Sequence, residues 1–61
     1  MWRTKIWIEG AWLWFTSTIE SKDDAEEDVV DQALAFYSQK FPHLNVDHSM
    51  FLVDDLEWIE V

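Results

Sequence analysis

The chain contains no cysteine, and it has one glycine and one proline in 61 residues. The absence of cysteine excludes disulfides and thiolate metal sites, and it favours a reducing cytoplasm as the compartment. The scarcity of glycine and proline argues against linkers and disorder. We therefore predict a single domain over residues 1–61, whose small core depends on five Trp, four Phe and one Tyr.

Long hydrophobic runs are also lacking. No stretch approaches the roughly 20 apolar residues that a membrane span needs. The apolar segment Ile6–Ile8 follows Arg3 and Lys5, as in a signal peptide, but Glu9 and Gly10 interrupt it and no cleavage site follows. We interpret the N-terminus as part of the mature protein, with no membrane association.

Positive charge is scarce, because 13 Asp and Glu stand against 4 Lys and Arg, which gives a net charge of −9. Such a charge repels nucleic acids and anionic membranes, so direct binding to either is excluded and the expected partner is a protein. The acids are clustered. Residues 23–31 contain six of them and residues 54–60 contain four.

The first 17 residues have the alternation of a β-hairpin with Glu9 and Gly10 as the central turn residues. This register predicts a core face with the pairs Ile8–Ala11, Ile6–Leu13, Thr4–Phe15 and Trp2–Ser17, continued by Ile19. The opposite face contains the pairs Trp7–Trp12, Lys5–Trp14 and Arg3–Thr16. An aromatic pair and a cation–π contact are possible there.

The next segment, from Ser21 to about Phe41, is predicted to be a helix that Pro42 stops. Either Ser21 or Asp23 is the N-cap, with Glu26 closing a capping box from Asp23. The predicted apolar stripe consists of Ala25, Val29, Val30, Ala33, Leu34, Phe36, Tyr37 and Phe41. The outer surface carries Asp24, Glu27, Asp28 and Asp31, which we call the acidic ridge.

After a loop over residues 43–49, residues 50–53 begin a last strand, which Asp54 and Asp55 bend or bulge before residues 56–61. The predicted fold class is α+β with the order ββαβ, in which one amphipathic helix packs on one face of a three-stranded sheet with an N-terminal antiparallel hairpin. The third strand can lie beside the first or the second, since both arrangements allow the favoured crossover.

Catalysis is not expected, because the chain has no cysteine, no glycine-rich phosphate loop and no recognisable Ser/His/acid spacing. No cofactor and no metal are expected either. We interpret the carboxylates of Asp54, Asp55 and Glu57 as a solvated strand end. The loop group of His43, Asp47 and His48 lacks a fourth ligand and is interpreted as a surface loop.

Tryptophan is abundant on the sheet face that the helix leaves uncovered. Trp2 and Trp58 are expected in the core, whereas Trp7, Trp12 and Trp14 lie on the open face. Three explanations are open for this trio: shielding by Arg3, Lys5 and third-strand side chains, a homodimer interface, or an anchor for a protein partner.

The acidic ridge is either a solvated helix face or a binding surface. Like charges three or four residues apart disfavour a helix by about 0.2–0.5 kcal/mol per pair, so several together suggest that the negative field is needed. Carboxylates one turn apart stand about 5–6 Å from each other, which compares with two base steps of DNA at about 3.4 Å each. A second acidic patch is predicted from Asp54, Asp55, Glu57 and Glu60.

A short cysteine-free chain with a charge of −9, ββαβ order and an acidic helix resembles the phage-encoded inhibitors that mimic DNA, notably the small anti-CRISPR proteins. The resemblance implies a non-catalytic inhibitor, monomeric or homodimeric, that blocks DNA recruitment by a basic nucleic-acid-binding complex in the bacterial cytoplasm. The element order is also similar to that of small phage inhibitors of host RNA polymerase, although the last strand here is acidic. A structural protein that dimerises through its Trp face is a further hypothesis.

Overall fold

The computed structural model describes residues 1–60, apart from the side chain of His48. An antiparallel sheet carries one helix on one face, which confirms the α+β class. In chain order the elements are β1 (Trp2–Ile8), β2 (Ala11–Ser17), α1 (Lys22–Lys40), a 3-10 turn (His48–Met50), β3 (Leu52–Val53) and β4 (Glu57–Trp58).

The hairpin register is confirmed for all seven pairs, from Trp2 opposite Ser17 to Ile8 opposite Ala11. The reason lies in the turn, where Glu9 has φ 53° and Gly10 has φ 82°. Two successive residues with positive φ form a type I′ turn, whose twist matches that of the strands it joins. The turn and the alternation of side chains thus agree on one register.

The C-terminal segment lies beside β1, on the side away from β2, so the sheet order is β2-β1-β3 with β4 also paired to β1. Val53 pairs with Ile6 and Glu57 pairs with Arg3. Between these two pairs the C-terminal segment advances by four residues, whereas β1 advances by three. One extra residue on one of two paired strands is a β-bulge. The bend predicted near Asp54 and the residue after it is confirmed.

Two hydrogen bonds hold the bulge against β1. The backbone N–H of Asp54 donates to the Lys5 carbonyl at 3.1 Å, and the buried Thr4 hydroxyl donates to the Asp54 carbonyl at 2.7 Å. The strand predicted from residue 50 is shorter than expected because Met50 belongs to the 3-10 turn. Val61, the predicted end of the last strand, lies outside the described residues.

The helix begins after Ser21, which has extended φ and ψ angles of −68° and 124° and makes no side-chain capping bond. Asp23 lies inside the first turn, so the predicted capping box with Glu26 is wrong. Asp23 and Asp24 nevertheless lie at the positive end of the helix dipole. At the other end, the N–H of Phe41 donates to the Tyr37 carbonyl at 2.8 Å, and Pro42 follows.

The core lies between α1 and the inner face of the sheet, and its buried cluster consists of Ile6, Ile8, Val29, Ala33, Tyr37 and Phe51. The buried side of the helix is narrower than the predicted apolar stripe. A sheet that is three strands wide covers only one line of residues along the helix. Phe36 lies beside that line and is 42% exposed. Ile19, which follows the end of β2, is 39% exposed, and Trp58 is 49% exposed. The predictions that Ile19 and Trp58 lie in the core were therefore wrong.

Candidate protein-binding surfaces

The acidic ridge forms one continuous stripe on α1. Its residues are spaced at i, i+3, i+4 and i+7, which places them on one side of a helix. The line that begins at Ala25 and runs through Val29 is buried against the sheet, so the ridge lies on the opposite side. Asp28 is half-buried, and the other three ridge residues are exposed.

No basic side chain neutralises the ridge within residues 1–60. The ion pairs there join Arg3 to Glu57 and Lys5 to Asp54, the second at 3.9 Å. Lys22 lies 5.9 Å from the Trp2 ring centroid and Lys40 lies 5.7 Å from that of Phe36. All four cations are therefore engaged away from the ridge.

Among the described side chains, the one hydrogen bond to a ridge carboxylate comes from Gln32, whose Nε2 donates to Oδ2 of Asp28 at 3.2 Å. Asp23 and Glu26, which were assigned to helix capping from the sequence, are exposed instead and line a shallow, open depression with Glu27 and Asp31. The density of six acids in nine residues is the sequence signal that could have included them. The negative surface is thus wider than the predicted ridge.

Two of the four C-terminal acids lie away from that surface. Asp54 and Glu57 bind Lys5 and Arg3, whose side chains lie on the sheet face opposite α1. Asp55 is exposed, and so is Glu60. The alternation of β1 directs Arg3 and Lys5 away from the helix, so Asp54 and Glu57 lie apart from the acidic ridge.

The outer sheet face combines aromatic rings with the two paired cations. Trp7 and Trp12 have ring centroids 5.4 Å apart. The Arg3 guanidinium lies 4.7 Å from the Trp14 centroid, and the Lys5 ammonium lies 5.0 Å from that of Trp12. These contacts are diagonal because long side chains reach past the directly opposite residue. Trp14 remains 58% exposed beneath its cation.

One of the loop residues considered as metal ligands, Asp47, has another role. Oδ1 of Asp47 accepts the backbone N–H of Ser49 at 2.8 Å and also the Ser49 hydroxyl, so it caps the 3-10 turn. The described side chains include no group of three or more His, Cys, Asp or Glu residues that could hold a metal ion. The side chain of His48, the third residue of the predicted group, lies outside the described structure.

No protein-family model, curated protein or solved structure is significantly similar to the chain. Among the described residues, no helix has both the length and the hydrophobicity of a membrane-spanning segment. Function must therefore be argued from the surfaces themselves.

Proposed function

We propose that the chain is a non-catalytic inhibitor that binds the basic, nucleic-acid-binding surface of a bacterial host complex and blocks DNA recruitment. The observation that carries this proposal is that, in the part of the chain that the structure describes, none of the four Lys and Arg pairs with a ridge carboxylate. A solvated helix face is normally interspersed with opposite charges at one-turn spacing. Here that compensation is missing where like charges are densest.

The spacing of the ridge supports mimicry of a phosphate backbone. Asp24 and Asp31 are seven residues apart, which is about 10.5 Å along a helix that rises 1.5 Å per residue. Neighbouring ridge residues have Cβ atoms about 5–6 Å apart. The ridge is therefore a closely spaced row of negative charges, as the phosphates of one DNA strand are, and a groove of Lys and Arg that accepts phosphates can accept it.

The resemblance to small anti-CRISPR proteins gives the proposal its expected target, the DNA-recruiting surface of a CRISPR effector complex in the host cytoplasm. The alternative target is host RNA polymerase, whose DNA channel is also basic. Both targets use the same ridge chemistry, so the identity of the captured complex decides between them. Charge-driven association of this kind is fast and weakens as salt screens the charges.

The test is capture from nuclease-treated bacterial lysate by the immobilised chain, at about 0.05 and 0.5 M NaCl. The test variant combines Glu27→Lys, Asp28→Lys and Asp31→Lys. The matched control reverses three other exposed acids: Glu20→Lys, Asp55→Lys and Glu60→Lys. Each exchange changes the charge by two, so both variants have a net charge of −3 instead of −9.

We expect the wild-type chain and the control to retain a DNA-binding complex at low salt and to release it at high salt, whereas the ridge variant retains none. If both variants lost the complex equally, bulk charge would be responsible and the ridge would have no special role. Equal retention by all three chains would show that the ridge is a solvated face.

A further inference from the structure

The outer edge of β2 has backbone groups without partners. The two-residue turn makes Ile8 and Ala11 a hydrogen-bonded pair, and in an antiparallel ladder such pairs alternate. Trp12, Trp14 and Thr16 therefore direct their N–H and C=O groups away from β1. A side chain of α1 confirms this direction, because Gln32 Nε2 donates to the Thr16 carbonyl at 2.8 Å. Within the described chain, the backbone groups of Trp12 and Trp14 have no such partner.

The two edges of the sheet differ in their protection against strand addition. The β3–β4 edge is broken by a bulge, its strands are two residues long, and it contains Asp54 and Glu57. Bulges, short strands and charges are the usual devices that prevent edge-to-edge pairing. β2 has none of them: seven residues long, it is continuously paired with β1 and contains no charged residue and no proline.

The side of α1 that borders this edge is also uncharged at its centre. Gln32 contacts Thr16, and Phe36 lies 6.4 Å from Phe15 between ring centroids. Ala35 and Gln39 share that helical side and are exposed. The charged groups bordering this side are Asp28, bonded to Gln32, Asp31, one turn before Ala35, and Lys40, which lies over Phe36. The strip between them has no charged side chain of its own.

We propose that two copies of the chain pair edge to edge through β2, in antiparallel orientation, with Leu13 on the twofold axis. In this register Trp12 is opposite Trp14 of the second copy, and the two strands exchange four backbone hydrogen bonds through these residues alone. Ala11 is opposite Phe15 of the second copy, a small residue against a large one. A register centred on Trp14 would have to share the Thr16 carbonyl with Gln32, whereas the register centred on Leu13 leaves that carbonyl to Gln32 alone.

A second copy fits this edge because the residues that it places opposite Ala11 to Phe15 are all uncharged. The contact is small, however. Trp12 and Trp14 are 44% and 58% exposed, which corresponds to on the order of 250 Å² per copy for rings of this size. Interfaces well below about 1,200 Å² are weak, so we expect a dissociation constant between about 10 µM and 1 mM. Because each copy carries −9, salt should tighten the dimer, whereas it weakens binding through the ridge.

The test is amide hydrogen exchange by NMR on the wild-type chain at about 20 µM and about 1 mM, with sedimentation on the same samples. We expect the Trp12 and Trp14 amides to exchange about two- to sixfold more slowly at the higher concentration, which is the change that mass action gives for these dissociation constants. The Thr16 amide serves as an internal control, since it points outward but stays unpaired in this register. Raising NaCl from about 0.05 to 0.5 M should increase the dimer fraction.

A pair of proline variants provides the matched comparison. Trp14→Pro removes a donor that the dimer uses, and Thr16→Pro removes an equivalent outward donor that the dimer does not use. Neither N–H belongs to the β1–β2 ladder, which is where an edge strand tolerates proline. We expect Trp14→Pro to be monomeric at about 1 mM and Thr16→Pro to dimerise as the wild type does. Circular dichroism checks that both variants fold. If Trp14→Pro does not fold, the amide exchange of the wild-type chain tests the proposal by itself.

Three results would overturn the proposal. The first is a strict monomer at about 1 mM and high salt with unprotected Trp12 and Trp14 amides. The second is a dimer in which these amides stay unprotected, which would mean that the Trp faces stack instead. The third is joint protection of the Trp12, Trp14 and Thr16 amides, which would place the axis at Trp14.

Discussion

Tyr37 is a core residue with a polar atom that finds no partner among the described residues. Its ring is stacked on Phe41 at 6.2 Å and lies 5.7 Å from Phe51, measured between centroids. Burial raises the pKa of the Tyr37 hydroxyl above its ordinary value. The side chain thus contributes apolar contact area while its hydroxyl loses hydration, which costs about 1–3 kcal/mol when no hydrogen bond replaces it.

We expect Tyr37→Phe to raise the free energy of unfolding by about 1 kcal/mol at neutral pH, because it removes the unpaired hydroxyl and keeps the ring. The substitution should also change how the free energy of unfolding depends on pH under alkaline conditions. Above about pH 10 the phenol ionises in the unfolded chain while the folded one still binds its proton, so the wild type loses stability as pH rises. Tyr37 is the only tyrosine, so the variant should lack this contribution.

Urea denaturation at pH 7 and at a series of values above 10 measures both effects. A variant that is less stable than the wild type at pH 7 would mean that the hydroxyl has a hydrogen-bond partner. If the stability of the wild type and of Tyr37→Phe fell equally steeply with pH above 10, the phenol would be hydrated in the folded chain.

Among the elements, the hairpin was predictable in full and the C-terminal segment only in part. The Glu9–Gly10 turn and strict alternation fix the hairpin register locally, since a one-residue slip would expose every core side chain. The position of the last strand depends instead on contacts between residues that are far apart in sequence, and local sequence patterns do not predict such contacts. Its division into β3 and β4 depends on one extra residue and on the Thr4 hydroxyl, whose bond to the Asp54 carbonyl joins residues 50 positions apart.

The Thr4 bond gives a test of the bulge. Thr4→Val keeps the shape and burial of the side chain but removes the donor, and we expect it to lower the free energy of unfolding by about 1 kcal/mol. Thr4→Ser keeps the hydroxyl and is the control for the donor. Faster amide exchange at Asp54 in the valine variant alone would show that the loss lies in the bulge, whereas unchanged stability and exchange would mean that the bond contributes nothing.

The helix carries like charges at the cost of its own stability. We expect Glu27→Gln combined with Asp31→Asn to raise the free energy of unfolding by about 0.8–2 kcal/mol at low salt, because it removes four like-charge pairs at one-turn spacing, three within the ridge and one between Asp23 and Glu27. The gain should shrink at about 0.5 M NaCl. Asp55→Asn with Glu60→Gln is the control for general charge reduction, since neither residue lies on α1.

Denaturation of both variants at low and high salt is the measurement. Equal gains for the two variants would contradict a specific repulsion within the ridge. The expected combination, a more stable chain that captures less partner, is the behaviour of residues kept for binding at the expense of folding.

At the scale of the whole molecule, the charge is arranged by surface. The acidic ridge is negative and pairs with no basic side chain among residues 1–60 as described, the outer sheet face pairs its two cations with Asp54 and Glu57, and β2 contains no charged residue. The sequence predicted the ridge because helical spacing is enough to place its residues on one side. It could not predict that Asp54 and Glu57 would be neutralised on the opposite face, because that depends on where the last strand lies.

The proposed function is tested most directly by competition between the chain and DNA for the captured host complex. The complex is bound to a labelled DNA duplex and titrated with the wild-type chain or with the variant carrying Glu27→Lys, Asp28→Lys and Asp31→Lys, at several salt concentrations. We predict that the wild type displaces the duplex, less effectively as salt rises, and that the ridge variant does not displace it. A ternary complex of chain, duplex and host complex, or equal displacement by the ridge variant, would contradict the proposal.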